Sequence, residues 1–110
     1  MAKPFLSKTR YMNGLQCLKL LWLVCNDREK VSAPDAATLH IFDQGHLVGD
    51  LAKQLYPGGI NVPHEDLRDN LKRTRESLGQ RKPLFEPGFM AGGIFSRLDV
   101  LNPVGHDAWD

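Results

Sequence analysis

The sequence has no long apolar run and no strong charge bias, and each absence limits the classes of protein that fit. Its 14 Lys and Arg stand against 13 Asp and Glu, giving a net charge of +1. No overall basic bias therefore indicates nucleic acid, and none excludes it. The longest apolar stretch near the N-terminus, residues 20–25, is too short to span a bilayer. Gln16 and Lys19 would interrupt the core of a signal peptide. We expect no membrane partner.

Cysteine is also scarce. Cys17 and Cys25 are the two cysteines, and they lie eight positions apart in one helical pattern, too far along the axis for an intrahelical disulfide. Two cysteines in a chain of this size do not make a disulfide framework. A reduced, cytoplasmic setting is therefore expected. The 110 residues suit one domain, and the hydrophobic content of 42% is typical of a globular protein.

Hydrophobic periodicity predicts three helices, over about residues 8–24, 36–56 and 64–78. Ser7 is the expected N-cap of the first helix. The apolar stripe of the first helix consists of Tyr11, Leu15, Leu18, Trp22 and Cys25. The stripe of the second consists of Ile41, Phe42, Val48, Leu51, Ala52 and Leu55. The third has only a thin stripe of Leu67, Leu71, Thr74 and Leu78, so it is predicted to be mostly exposed.

A β-hairpin is predicted over about residues 83–101. Gly92 and Gly93 lie between two apolar runs, and Gly-Gly tolerates the positive φ angles of tight hairpin turns. Counting outward from this turn puts Glu86 directly opposite Asp99. Opposed residues share a face with Cβ atoms roughly 5 Å apart, and two carboxylates at that distance repel unless a cation lies between them. Mg²⁺ or Mn²⁺ is the expected cation.

Two alternatives remain open for this hairpin. Glu86 and Asp99 are also consistent with surface residues on an ordinary hairpin. Pro87 removes a ladder donor and so requires an edge position or a bulge. A bulge would shift Glu86 by one residue and move its side chain to the other face.

The order of these motifs resembles a known nuclease core. Glu86, the RLDVL run at 97–101 and the closing residues 108–110 are similar to the first part of the PD-(D/E)xK superfamily. The likeness is greatest to RecB-like exonucleases, including CRISPR-associated ones, and to a related bacterial family of unassigned function. It implies an α/β (α+β) fold in which three helices pack on a β-hairpin. It also implies that Asp99 is a catalytic metal ligand and that Glu86 is a second one.

The resemblance also implies what should follow. The family's Glu-x-Lys motif would be expected a few residues beyond Asp110. The sequence is therefore interpreted as one nuclease-like domain, residues 1–110, truncated before its catalytic lysine. A complete parent would be a Mg²⁺- or Mn²⁺-dependent deoxyribonuclease, whereas this polypeptide alone is expected to cut DNA feebly or not at all.

Two further positions take their interpretation from the resemblance. The GLQC run at 14–17 is similar to the upstream cysteine site of iron–sulfur members, which implies a cluster role for Cys17 in a longer parent. Four thiolates hold such a cluster, so none is predicted for this chain. The family's metal-touching histidine corresponds to Gly49 here. His46 is three positions earlier, on a different helical face, and is expected to face solvent.

Basic residues close the third predicted helix and continue beyond it: Lys72, Arg73, Arg75, Arg81 and Lys82. Their place at a helix C-terminus complements the helix dipole, and they are also candidates for contact with DNA phosphates. Two other function classes remain open. The chain would also suit a non-catalytic module that binds nucleic acid or protein, or a structural adaptor. The unpaired edge of the hairpin is a candidate surface for a homo-oligomer.

Overall fold

A long, interrupted β-ribbon is the centre of this α+β protein, whose computed structural model describes residues 5–110. The helices are α1 (Lys8–Gln16), α2 (Leu18–Asn26), α3 (Ala36–Gln54) and α4 (Leu67–Leu78), and a 3₁₀ turn covers Arg28–Lys30. The strands are β1 (Leu6–Ser7), β2 (Ile60–Asn61), β3 (Leu84–Phe85), β4 (Gly88–Ala91), β5 (Ile94–Arg97), β6 (Val100–Leu101), β7 (Pro103–Val104) and β8 (Ala108–Trp109). The predicted α+β class is confirmed.

The ribbon forms where the hairpin was predicted. β4 pairs antiparallel with β5, and β3 pairs antiparallel with β6 further from the turn. Gly92 and Gly93 have φ angles of 57° and 79°, so both turn residues adopt the left-handed conformation that this tight hairpin needs. The predicted turn is therefore confirmed.

Both halves of the ribbon gain a third strand from an earlier part of the chain. β1 runs parallel to β5, and β2 runs parallel to β3, so the sheets have the orders β1-β5-β4 and β2-β3-β6. The hairpin was expected to leave an edge unpaired for a homo-oligomer. That expectation now applies only to β4 and β6, since β5 and β3 are paired on both sides.

The helix predicted over residues 8–24 is two helices. Cys17 has extended backbone, with φ −163° and ψ 120°, and it ends α1 and precedes α2. The break lets the two helices pack on each other. They approach closely at Gly14, where an added Cβ would lie 3.0 Å from Leu21 Cδ2. Ser7 caps α1 as predicted, accepting from the Arg10 N–H at 3.2 Å. Four α-helices therefore replace the predicted three among residues 5–110.

The predicted apolar stripes of the first two helical segments are wrong as a guide to burial. None of the helices α1, α2 and α3 contains a buried residue. Leu18 is 78% exposed and Leu55 is 76% exposed. The radius of gyration is 16.1 Å, whereas a compact domain of this size has about 13 Å. These three helices are therefore spread around the ribbon rather than folded over a shared apolar core.

The helix predicted to be mostly exposed, α4, is the one that packs most closely on the ribbon. It begins at Leu67, with Asp66 as N-cap, three residues later than predicted. Its buried residues are Asn70, Thr74 and Ser77, so the polar edge of the predicted stripe faces the interior. They lie against an apolar core that consists of Val62, Leu84 and Phe85.

Candidate functional site

Glu86 and Asp99 lie opposite each other at the interruption of the ribbon. On one side of it Phe85 pairs with Val100, and on the other Gly88 pairs with Arg97. Two residues separate these pairs on each strand, so neither strand carries an extra residue. The Glu86 N–H donates to the Asp99 carbonyl at 3.1 Å. The predicted register is therefore confirmed, and no bulge shifts it, whereas a shared face for the two side chains stays a prediction.

The chain accommodates Pro87 through the backbone of Glu86 rather than through a bulge. Glu86 has a φ of +60°, a left-handed conformation that residues other than glycine rarely adopt. Such a conformation costs on the order of 1–3 kcal/mol and persists only where surrounding contacts enforce it. Pro87 follows it and is almost completely buried. The regular alternation of side chains is thus broken at the position of the candidate ligand.

Side chains of α4 supply those contacts. Asn70 Nδ2 donates to the Glu86 carbonyl at 3.0 Å and to the Pro63 carbonyl at 2.9 Å. One turn later, Thr74 Oγ1 accepts from the Gly88 N–H at 2.9 Å. Sequence reasoning placed Thr74 in an apolar stripe and missed Asn70. The available signal was the repetition of polar residues at 70, 74 and 77, which places them on one helical face.

The two acids line a cavity of about 540 Å³ between the ribbon and α3. The α3 residues along this cavity are Gly45, His46, Val48, Gly49, Asp50, Ala52 and Lys53. The space beside Gly45 and Gly49 is open, because a Cβ at either position would meet nothing within 4 Å. Asp99 is exposed and Glu86 is partly buried, so both carboxylates are accessible to a ligand.

Charges of both signs meet at this cavity. Glu86 Oε2 pairs with His64 Nδ1, while Asp99 and Asp50 have no ion-pair partner within residues 5–110. The Lys53 ammonium lies 5.9 Å from the centre of the Phe85 ring. Sequence reasoning missed Lys53, since neither its helix nor its spacing connects it with Glu86.

His46 was expected to face solvent. It is exposed, and it also lines the cavity with the two acids. The structure therefore brings it to the candidate site without burying it. His40 is hydrogen-bonded at 3.2 Å to Gln44, one turn along α3.

The donors of this site suit a hard divalent cation bound by few protein groups. Within residues 5–110 there is no cluster of three or more His, Cys, Asp or Glu side chains placed to bind a metal ion. Glu86 and Asp99 therefore offer a pair of carboxylates. Mg²⁺ commonly binds through one or two carboxylates, with water and substrate phosphate completing its octahedron. Binding of such an ion by these two residues stays a prediction.

The five basic residues proposed for DNA contact differ in their surroundings. The Arg81 guanidinium donates to the carbonyls of Gly105 at 2.9 Å and Ala108 at 3.0 Å, and it lies over the Trp109 ring. It therefore holds the β7–β8 hairpin against the end of α4. Arg73 pairs with Asp69 at 3.5 Å. The other three are exposed and form no ion pair in the described part of the chain: Lys72, Arg75 and Lys82.

The two cysteines are both exposed and unbonded. Cys17 lies at the corner between α1 and α2. The extended backbone at the corner turns its side chain outward. A cluster role in a longer parent stays a prediction.

A search of protein-family models, curated proteins and solved structures found no match for this chain. The fold and the site therefore define it only as an α+β protein with a paired-carboxylate cavity. Between residues 5 and 110, none of the helices combines the length and apolarity that crossing a membrane requires.

Proposed function

We propose that the chain carries the two-carboxylate part of a metal site for phosphodiester cleavage in DNA. The observation that carries this proposal is the position of Glu86 and Asp99. They lie opposite each other on one ribbon and line the same cavity. The motif order that resembles RecB-like nucleases supplies the reaction class, and the shared cavity supports only the cation site on which that reaction would depend.

The charges of the cavity favour a cation before a phosphate. Its lining includes three carboxylates, from Asp50, Glu86 and Asp99, and one ammonium, from Lys53. This acidic excess would repel a phosphodiester on its own. A divalent cation held by Glu86 and Asp99 would neutralise this excess, so that a DNA phosphate could approach the cation and Lys53.

A bound Mg²⁺ or Mn²⁺ would polarise the scissile phosphate and lower the pKa of an attacking water. The chain's own residues have simpler roles. Asp99 offers an unpaired carboxylate to the ion, and Glu86 offers a second one that His64 orients. Lys53 is the basic side chain that lines the same cavity, where it would contact a phosphate oxygen. The Glu-x-Lys strand of the resembling family is absent from these 110 residues, so cleavage by this polypeptide alone is expected to be weak.

Titration with Mn²⁺, followed by electron paramagnetic resonance of the free ion, tests the site. Asp99→Asn and Glu86→Gln remove one charge each while keeping side-chain size. Each is expected to weaken Mn²⁺ binding by at least about 10-fold, the effect usual even for residues that only support a ligand. Asp43→Asn is the matched control, because Asp43 lies on α3 but does not line the cavity.

Equal Mn²⁺ affinity in wild type and Asp99→Asn would remove Asp99 from the site. A parallel measurement of DNA binding separates the second candidate function, a non-catalytic nucleic-acid module. That function is favoured by the exposed ammonium and guanidinium groups of Lys72, Arg75 and Lys82. A module of this kind would retain its DNA affinity in EDTA, whereas the metal-dependent site would lose it.

A further inference from the structure

The geometry points to Asn70 as a positioning residue that sets the backbone of Glu86 and so directs its carboxylate toward the cavity it shares with Asp99. This inference rests on the proposed function, because it assigns a metal-binding role to Glu86. It concerns a residue on α4, which supplies no group to the cavity itself.

Asn70 joins two separate connections of the chain through one amide group. Both acceptors of its Nδ2 are main-chain carbonyls, that of Pro63 before α4 and that of Glu86 on the ribbon. Its side chain is buried, with 1% of the residue exposed. A buried amide with both hydrogens donated is held firmly, so the peptide carbonyl that leaves Glu86 is held with it.

The far side of Pro87 is fixed by the same helix. The Gly88 N–H donates to Thr74 Oγ1, and Thr74 is 2% exposed. Pro87 lies between the two anchored positions, and its ring allows little variation in φ. The left-handed backbone of Glu86 is therefore held from the carbonyl of Glu86 to the amide of Gly88.

The orientation of the Asn70 amide is determined by its surroundings. Two carbonyl oxygens face one end of the amide, so that end must be the NH₂ group. The Oδ1 end is buried without a hydrogen-bond partner and lies 1.9 Å from where a Cβ of Gly88 would be. Glycine at 88 thus makes room for the asparagine side chain. The two hydrogen bonds from Nδ2 offset the cost of leaving Oδ1 without a partner.

Asn70→Asp is the sharpest variant, because it keeps the shape and replaces the NH₂ donor by an acceptor. Thr74→Val, which removes the acceptor for Gly88, is a second variant if the first does not fold. Mn²⁺ affinity is expected to fall by about 10- to 100-fold in Asn70→Asp, the range found when a ligand loses its supporting partner. Far-UV circular dichroism establishes that each variant is folded at the temperature used.

A double-mutant cycle separates positioning from general destabilisation. If Asn70 acts through Glu86, the double variant Asn70→Asp/Glu86→Gln binds Mn²⁺ as Glu86→Gln alone does, and the two losses do not add. Ser77→Ala is the matched control, since Ser77 is buried on the same face of α4 and makes no side-chain hydrogen bond to the ribbon. Leu71→Ala provides a loss of stability without removing the side-chain hydrogen bond to the Glu86 carbonyl.

Amide hydrogen exchange tests the same inference without metal. Loss of the Asn70 bonds is expected to speed exchange of the Glu86 N–H by about tenfold relative to Leu71→Ala. Wild type that binds no Mn²⁺ would overturn the proposed function, and exchange would still decide whether Asn70 holds Glu86. The positioning role would be overturned if the Glu86 N–H exchanged at an unchanged rate in Asn70→Asp. It would also be overturned if folded Asn70→Asp bound Mn²⁺ as tightly as wild type while Glu86→Gln bound it more weakly.

Discussion

Gly88→Ala is expected to destabilise the protein strongly, although it adds a single methyl group. A Cβ at this position would lie 1.9 Å from Asn70 Oδ1 and 2.9 Å from Phe95 Cε2. The first distance is far below van der Waals contact, so the amide must move. Asn70 is buried on all sides and donates to two carbonyls, so it cannot move without breaking those bonds.

The magnitude follows from these two effects. Inserting a methyl group into a packed interior costs about 1–3 kcal/mol. Each hydrogen bond lost from Asn70 adds about 0.5–1.5 kcal/mol. We expect the free energy of unfolding to fall by about 2–5 kcal/mol, a large part of the roughly 5–15 kcal/mol that stabilises a domain. At about 4 °C for each kcal/mol, the Tm falls by roughly 8–20 °C.

Urea denaturation followed by circular dichroism measures this change. Gly79→Ala is the matched control, because Gly79 ends α4 with a φ of −67° and nothing lies within 4 Å of the added Cβ. Its stability is expected to stay the same or to rise by up to about 1 kcal/mol. A Gly88→Ala protein as stable as wild type would refute the close packing of Asn70 on Gly88. An equal loss in both variants would show that the effect is not steric.

Two other features of the chain allow equally direct tests. Hydrogen bonds from the Thr38 side chain and then its N–H lower the pKa of Asp35 from its ordinary 3.8. The folded carboxyl therefore takes up its proton at lower pH than the unfolded one. Its stabilisation of α3 is present above the ordinary value and is lost as pH falls through the lowered pKa. Asp35→Ala should remove this acid-dependent loss of helicity, measured at 222 nm. Arg81→Ala should release the β7–β8 hairpin at a cost of about 2 kcal/mol, seen as a change in Trp109 fluorescence that Arg75→Ala does not produce.

The ribbon was the most predictable element, because its turn and register are local properties. The φ requirements of Gly92 and Gly93 fix the turn, and the turn fixes every pair outward to Glu86 and Asp99. Pro87 suggested a bulge, yet the register continues past it. A left-handed residue at Glu86 accommodates the proline without an inserted residue, and no local rule distinguishes these two solutions.

Helix positions were less predictable where the outcome depends on distant partners. The stripe from Tyr11 to Cys25 is continuous, but the chain breaks at Cys17 so that α1 and α2 pack on each other. The packing of α1 on α2 is a tertiary contact, and the spacing of apolar residues along the stripe carries no signal of it. Lys53 and His46 reach the cavity for the same reason, since their approach to Asp99 depends on how α3 lies beside the ribbon.

The distribution of burial supports an interior built to orient a main chain rather than to maximise stability. No leucine of the first three helices is buried, while an asparagine and a threonine occupy the most enclosed positions beside the ribbon. Replacing Asn70 by leucine would bury more apolar surface, but it would leave the Glu86 and Pro63 carbonyls without their donor. A buried polar group whose partners are main-chain atoms selects one backbone conformation over others. Here that conformation is the left-handed one at Glu86. It sets the direction of the main chain at the residue that we propose binds the metal.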